Sequence, residues 1–120
     1  MRGLRVPSSA LNEPSNAGLD AAIAALWRDA QPRALARVVV LEGAVAALGA
    51  GGLDEATGLE AAGEAHKLAG ALGTFGMPKG TDEARAVEQR FAEGAAPGDA
   101  ATLGEHVAAL RAIVEAGPGG

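Results

Sequence analysis

The chain has 120 residues, room for one domain with one modest core and no second folded unit. It contains no cysteine, which excludes disulfides, zinc–thiolate centres and thiol nucleophiles, and its formal charge of −5 argues against nucleic acid as the main partner. Hydrophobic residues make up 48% but aromatics only 2%, so the core must be built from Leu, Val, Ile and Ala, a set that suits helices better than strands.

Residues 1–16, MRGLRVPSSALNEPSN, mix Pro, Ser, Asn and charge without a period and read as a flexible leader. Two arginines there are followed by no continuous apolar stretch, so the segment does not read as a signal peptide. From residue 17 to 116 the pattern is that of a helical bundle. Leu19, Ile23, Leu26 and Trp27 fall at helical spacing and predict a short helix ending near Pro32. Pro32 can then open a second helix that carries Leu35, Val38, Val39, Leu41, Val45 and Leu48 and stops in the run Gly49 to Gly52.

Asp54 is a good N-cap for a third helix reaching about Thr74, with Leu59, Ala61, Ala65, Leu68, Leu72 and Phe75 on its apolar side. Gly76, Met77 and Pro78 close it. A fourth helix carries Ala84, Val87 and Phe91 up to the breaker at residues 94–98. A fifth opens at Asp99, read as another N-cap, and places Leu103, Val107, Leu110 and Val114 on one face. Residues 117–120 form a Gly/Pro tail or the start of a linker. The expected fold class is all-α: an antiparallel up-down four-helix bundle, with the short first helix lying across one end as a cover. The longest strongly apolar run is Val38 to Leu41, against about 20 residues needed to cross a bilayer, so a cytoplasmic protein without a membrane partner is expected.

Without cysteine, the two histidines are the natural place to look for chemistry at neutral pH. On a helical wheel His66 sits roughly 100–130° from the middle of the apolar stripe of the third helix, on the flank facing water. Gly63, Gly70 and Gly73 fall on the same side, at i−3, i+4 and i+7, with Ala62 and Ala69 beside them. Each glycine costs roughly 1 kcal/mol against alanine inside a helix. One reading is a strip shaved so that another protein can approach the imidazole. The other is that a chain with 18 glycines scatters them everywhere. His106, beside Leu103 and Leu110, reads as a boundary histidine, packed on its side or solvated. Trp27 reads as core cover, and Glu60, Glu64, Asp82, Glu83 and Glu88 as solvated faces.

Residues 65–77, AHKLAGALGTFGM, resemble the signature of the histidine-containing phosphotransfer (HPt) family: Ala-His, Leu at +2, Gly at +4, then a Gly-X-hydrophobic-Gly stretch ending the helix. The preceding VLEGAVAAL and the following EARAVEQRF are similar to that family's flanking helices, and the likeness covers about residues 35–114. The resemblance implies a phosphoryl carrier in a two-component phosphorelay, with His66 as phosphoacceptor and no kinase activity of its own. It implies a partner receiver domain, from a response regulator or a hybrid histidine kinase; the wheel places the docking strip for such a partner at Gly63, Gly70, Ala62, Ala69 and Gly73, with Lys67 able to reach a phosphoryl oxygen through its long stem. No cofactor is then needed, because the receiver supplies its own Mg²⁺; no P-loop or other nucleotide-binding motif occurs in the chain. A monomer, alone or as one part of a longer chain, is expected. One departure stands out: many family members carry lysine three residues after the histidine, where this chain has Ala69, and Lys67 is the nearest cation. A bundle that kept the fold as an unphosphorylated adaptor is the alternative. The dimerisation domain of a histidine kinase ranks below both, because an acidic residue and then a proline usually follow its histidine, whereas Lys67, Leu68 and Ala69 follow His66.

Overall fold

A computed structural model describes residues 2–119, with side chains from residue 17 onward. It contains four helices: α1 (Arg2–Gly49), α2 (Glu55–Thr74), α3 (Pro78–Ala92) and α4 (Ala100–Ala116), with one 3₁₀ turn at Pro97–Asp99. No strand occurs among the described residues, and no helix there is long and apolar enough to cross a membrane. The helices pack α1 against α2 and α4, and α3 against α2 and α4, closing the four-helix bundle. The expected leader, residues 1–16, lies outside the residues whose side chains are described.

One expected boundary is absent. The first and second helices of the sequence reading are a single helix, α1, which continues through Pro32. Proline removes the N–H that the Arg28 carbonyl would accept, a loss that usually ends a helix. Here packing on both sides of it outweighs the break. Trp27 and Ala34 are buried, and Gln31 Nε2 donates to the carbonyls of Val114 (2.9 Å) and Glu115 (3.3 Å) at the end of α4. The expected cover is therefore the N-terminal part of α1, and Trp27 is the cover residue, meeting Phe75 edge-on at 5.1 Å.

The core is wholly apolar. Val38, Leu41, Leu68, Leu72, Val87, Leu103, Leu110 and Val114 are fully enclosed, and no polar or charged residue is buried among the described residues. Not every predicted stripe residue reaches it: Leu19, Leu26, Val39 and Leu59 are exposed. Functional polar groups must therefore lie on the bundle's surface.

The α2–α3 hairpin sets the geometry of that surface. Asp54 caps α2 as predicted, accepting the Thr57 amide at 2.7 Å, and this hydrogen bond holds its carboxyl below the ordinary aspartate range. At the other end Gly76 takes φ +73, Gly76 N donates to Gly73 O and Met77 N donates to Leu72 O, the paired bonds of a Schellman motif. Pro78 follows at the first position of α3, where its missing N–H costs nothing. The tight reversal sends α3 back along α2. Gly80 makes the close approach possible: a Cβ there would stand 2.7 Å from Leu72 Cδ1 and 3.1 Å from Ile113 Cγ2. Asp99 departs from the reading. It lies in the 3₁₀ turn with helical backbone angles, makes no cap to α4, and accepts the Ala96 amide at 2.8 Å instead.

Candidate functional site

His66 lies midway along α2 on its solvent flank, with 74% of its side chain exposed. Its Nδ1 is 2.9 Å from Glu88 Oε2 on α3. That pairing follows from the hairpin register. Thr81 Oγ1 donates to the Ala69 carbonyl at 3.2 Å, so α3 runs antiparallel to α2 from that point. Thr81, Arg85, Glu88 and Ala92 recur at i, i+4, i+7 and i+11, one line along α3. The line brings Glu88 beside His66 two turns after Thr81 meets Ala69.

A carboxylate only accepts hydrogen bonds, so this contact assigns a proton to Nδ1 and leaves Nε2 as the ring nitrogen that Glu88 does not engage. The site thus presents an exposed imidazole whose Nδ1 edge is held by a half-buried carboxylate. Glu88, expected on a solvated face, is the residue that meets His66. The periodicity of α3 marks its apolar side but carries no information about which α3 carboxylate meets which α2 residue.

The predicted docking strip separates into parts. Gly63 and Gly70 are exposed, and a Cβ on either would meet nothing within 4 Å, so these two do form a clear path on each side of His66. Gly73 is exposed but closer to its neighbours: a Cβ there would lie 3.4 Å from Thr81 Oγ1 at the start of α3. Ala62 and Ala69 do not belong to an exposed strip. They are buried, at 8% and 5% exposure, because their wheel positions turn toward the neighbouring helices. Ala69 forms part of the floor of a groove of about 530 Å³, which His66, Gly70, Arg85, Glu88 and Gln89 also line.

Lys67 points elsewhere. Its Nζ is 3.5 Å from Glu64 Oε2, and Arg37 of α1 donates to Glu64 Oε1 at 3.1 Å. Lys67 is absent from the groove lining. His106 is half-buried and pairs through Nδ1 with Glu83 between α4 and α3. That contact suits the boundary role read from its spacing. No group of three His, Asp or Glu able to hold a metal ion occurs among the described residues.

The fold and site are those of a helical bundle that presents one exposed histidine on a glycine-flanked helix face. The model of the Hpt domain family matches residues 19–116, and the chain belongs to that family, whose domains serve histidine phosphotransfer in phosphorelays. The match takes in residues 19–34 as well, the part of α1 that the sequence resemblance had left outside. Comparison with curated proteins and with solved structures gives no match.

Proposed function

We propose that this domain accepts a phosphoryl group on His66 Nε2 from the aspartyl phosphate of a receiver domain and passes it on to another receiver. The observation that carries this reading is the contact between His66 and Glu88. The Nε2 lone pair attacks phosphorus, the N–P bond forms, and the P–O bond to the aspartate breaks with its electron pair returning to the carboxylate. The ring, now bearing phosphorus on Nε2 and a proton on Nδ1, is cationic, and Glu88 offsets that charge. Donation is the reverse of these steps. Phosphoryl transfer asks mainly for positioning and charge neutralisation, so a presented, oriented nitrogen is a sufficient contribution. On this reading Mg²⁺ and the acidic pocket come with the receiver, Gly63 and Gly70 admit its loops, and the domain has no kinase activity of its own.

The test is incubation with phosphorylated receiver domains, followed by mapping of acid-labile phosphate. Phosphate on His66, lost in His66→Gln and kept in His106→Gln, supports the carrier. Phosphate on His106, or labelling that survives loss of His66, overturns it. A second reading, an unphosphorylated adaptor, is favoured by alanine at position 69; it requires receiver binding with no phosphate on the chain.

A further inference from the structure

Phosphorylation of His66 brings about −1.5 to −2 charges into a groove that already holds the Glu88 carboxylate. Two anions in one groove repel each other, and the transfer transition state spreads further charge over the phosphoryl oxygens. A side-chain cation in the groove would offset the added phosphoryl charge. Lys67 is engaged by Glu64 and lies outside the groove. Arg85 is the cation that lines it. It sits one helical turn before Glu88 on the same line of α3, and among the described residues it makes no ion pair or side-chain hydrogen bond. The same groove is lined by the small residues Ala69 and Gly70, and a Cβ at Gly70 would meet nothing within 4 Å.

We propose that Arg85 is the phosphoryl-binding residue of this domain, closing its guanidinium on the phosphoryl oxygens when His66 Nε2 is phosphorylated. This inference rests on the carrier reading above. Arginine suits the task because it stays protonated and presents parallel N–H donors that match two phosphoryl oxygens at once. It forms no bond to phosphorus and exchanges no proton, so the balance of the transfer step is unchanged. Free Arg85 is solvated and unpaired, and it becomes ordered only in the phosphorylated state.

The experiment compares wild type, Arg85→Gln and Arg85→Lys with two donors, a phosphorylated receiver domain and phosphoramidate. Melting temperatures of all three should agree, because residue 85 is exposed. Arg85→Gln should label at least tenfold more slowly with both donors, and the equilibrium with the receiver should shift at least tenfold toward phospho-receiver. Arg85→Lys should recover part of both effects, since it restores the charge without the paired donors. Wild-type rates with phosphoramidate in Arg85→Gln, combined with a loss only toward the receiver, would make Arg85 a docking cation and overturn the proposal. Unchanged rates with both donors would overturn it too, while phosphate on wild-type His66 left the carrier reading standing. A wild-type chain that takes no phosphate on His66 from either donor would remove both.

Discussion

Arg111 of α4 holds Glu42 of α1 at two points, Nε to Oε2 at 2.6 Å and Nη2 to Oε1 at 2.9 Å, while its Nη1 reaches Glu115 at 3.1 Å. The hydrogen bond from Arg111 pulls the Glu42 carboxyl below the ordinary glutamate range, against a smaller opposing push from burial, and Arg111 is shifted upward in turn. A carboxyl whose folded value is depressed stabilises the fold at pH above the ordinary glutamate value and loses that contribution as pH falls through the folded value. The pair is partly exposed, so its share is small. Glu42→Gln should lower Tm at pH 7 by about 2–4 °C, and the drop should shrink as pH falls toward 3 and the wild-type carboxylate takes up its proton. Thermal melts followed by circular dichroism at the two pH values check this. An equal drop at both would show that Glu42 contributes only packing.

The glycines divide into three kinds, and substitution should sort them. Gly80 lies where Leu72 and Ile113 close in, and Gly117 takes φ +77 with a Cβ position 2.8 Å from Trp27 Nε1. Gly80→Ala and Gly117→Ala should each destabilise the bundle by about 1–3 kcal/mol, the first by overpacking and the second by backbone strain with a clash. Gly63→Ala, in open space within α2, should stabilise it by up to about 1 kcal/mol. Denaturant melts of the three variants give the order. Equal effects at Gly80 and Gly63 would contradict the packing described here.

Those differences also mark what the sequence could and could not tell. The 3.6-residue recurrence of Leu, Val and Ala located three helices and their ends to within a few residues, because Gly and Pro punctuate them. It misplaced the break at Pro32, since the forces that carry α1 across it are non-local, namely Gln31 on the α4 carbonyls and Trp27 under Phe75. It overcounted the core at Val39 and Leu59, because on an alanine-rich helix the apolar arc is broad and only the partner helices decide which part is covered. His66 was legible as an exposed histidine from its wheel angle alone. Glu88 was not, because its position beside His66 depends on the register of two helices joined by the Gly76 reversal.

Glu88 should act on transfer and hardly on folding. Glu88→Gln can still accept the Nδ1 hydrogen bond through its amide oxygen but cannot offset the cationic phosphorylated ring. It should slow phosphorylation of His66 by about tenfold, about 1.4 kcal/mol of lost transition-state stabilisation. Glu88→Ala also frees the ring to turn and to exchange tautomers, and should slow it by about a further threefold or more. Rates are read from the appearance of labelled protein after mixing with phospho-receiver, and ¹⁵N shifts of His66 report the tautomer. A Glu88→Ala variant with the wild-type rate and an unchanged Nδ1-protonated ring would remove Glu88 from the site.

The face of α2 around His66 makes the sharpest separation between folding and transfer. A Cβ at Gly70 meets nothing within 4 Å, so Gly70→Ala adds a methyl to open space and removes the entropic cost of glycine in a helix. The bundle should gain up to about 1 kcal/mol, while transfer from a receiver falls modestly. Gly70→Gln and Gly70→Glu keep good helix propensity but set a long side chain one turn from the imidazole, across the path a docking domain must take. Both should fold, and receiver-dependent phosphorylation should slow by about tenfold or more, with Glu worse than Gln because it also repels the phosphoryl group. Phosphoramidate needs no docking surface, so Gly70→Gln should still be labelled by it at close to the wild-type rate. If Gly70 instead served helix packing, Gly70→Ala and Gly70→Gln would both lower Tm and both donors would fail together. The open space at that position argues for the first outcome.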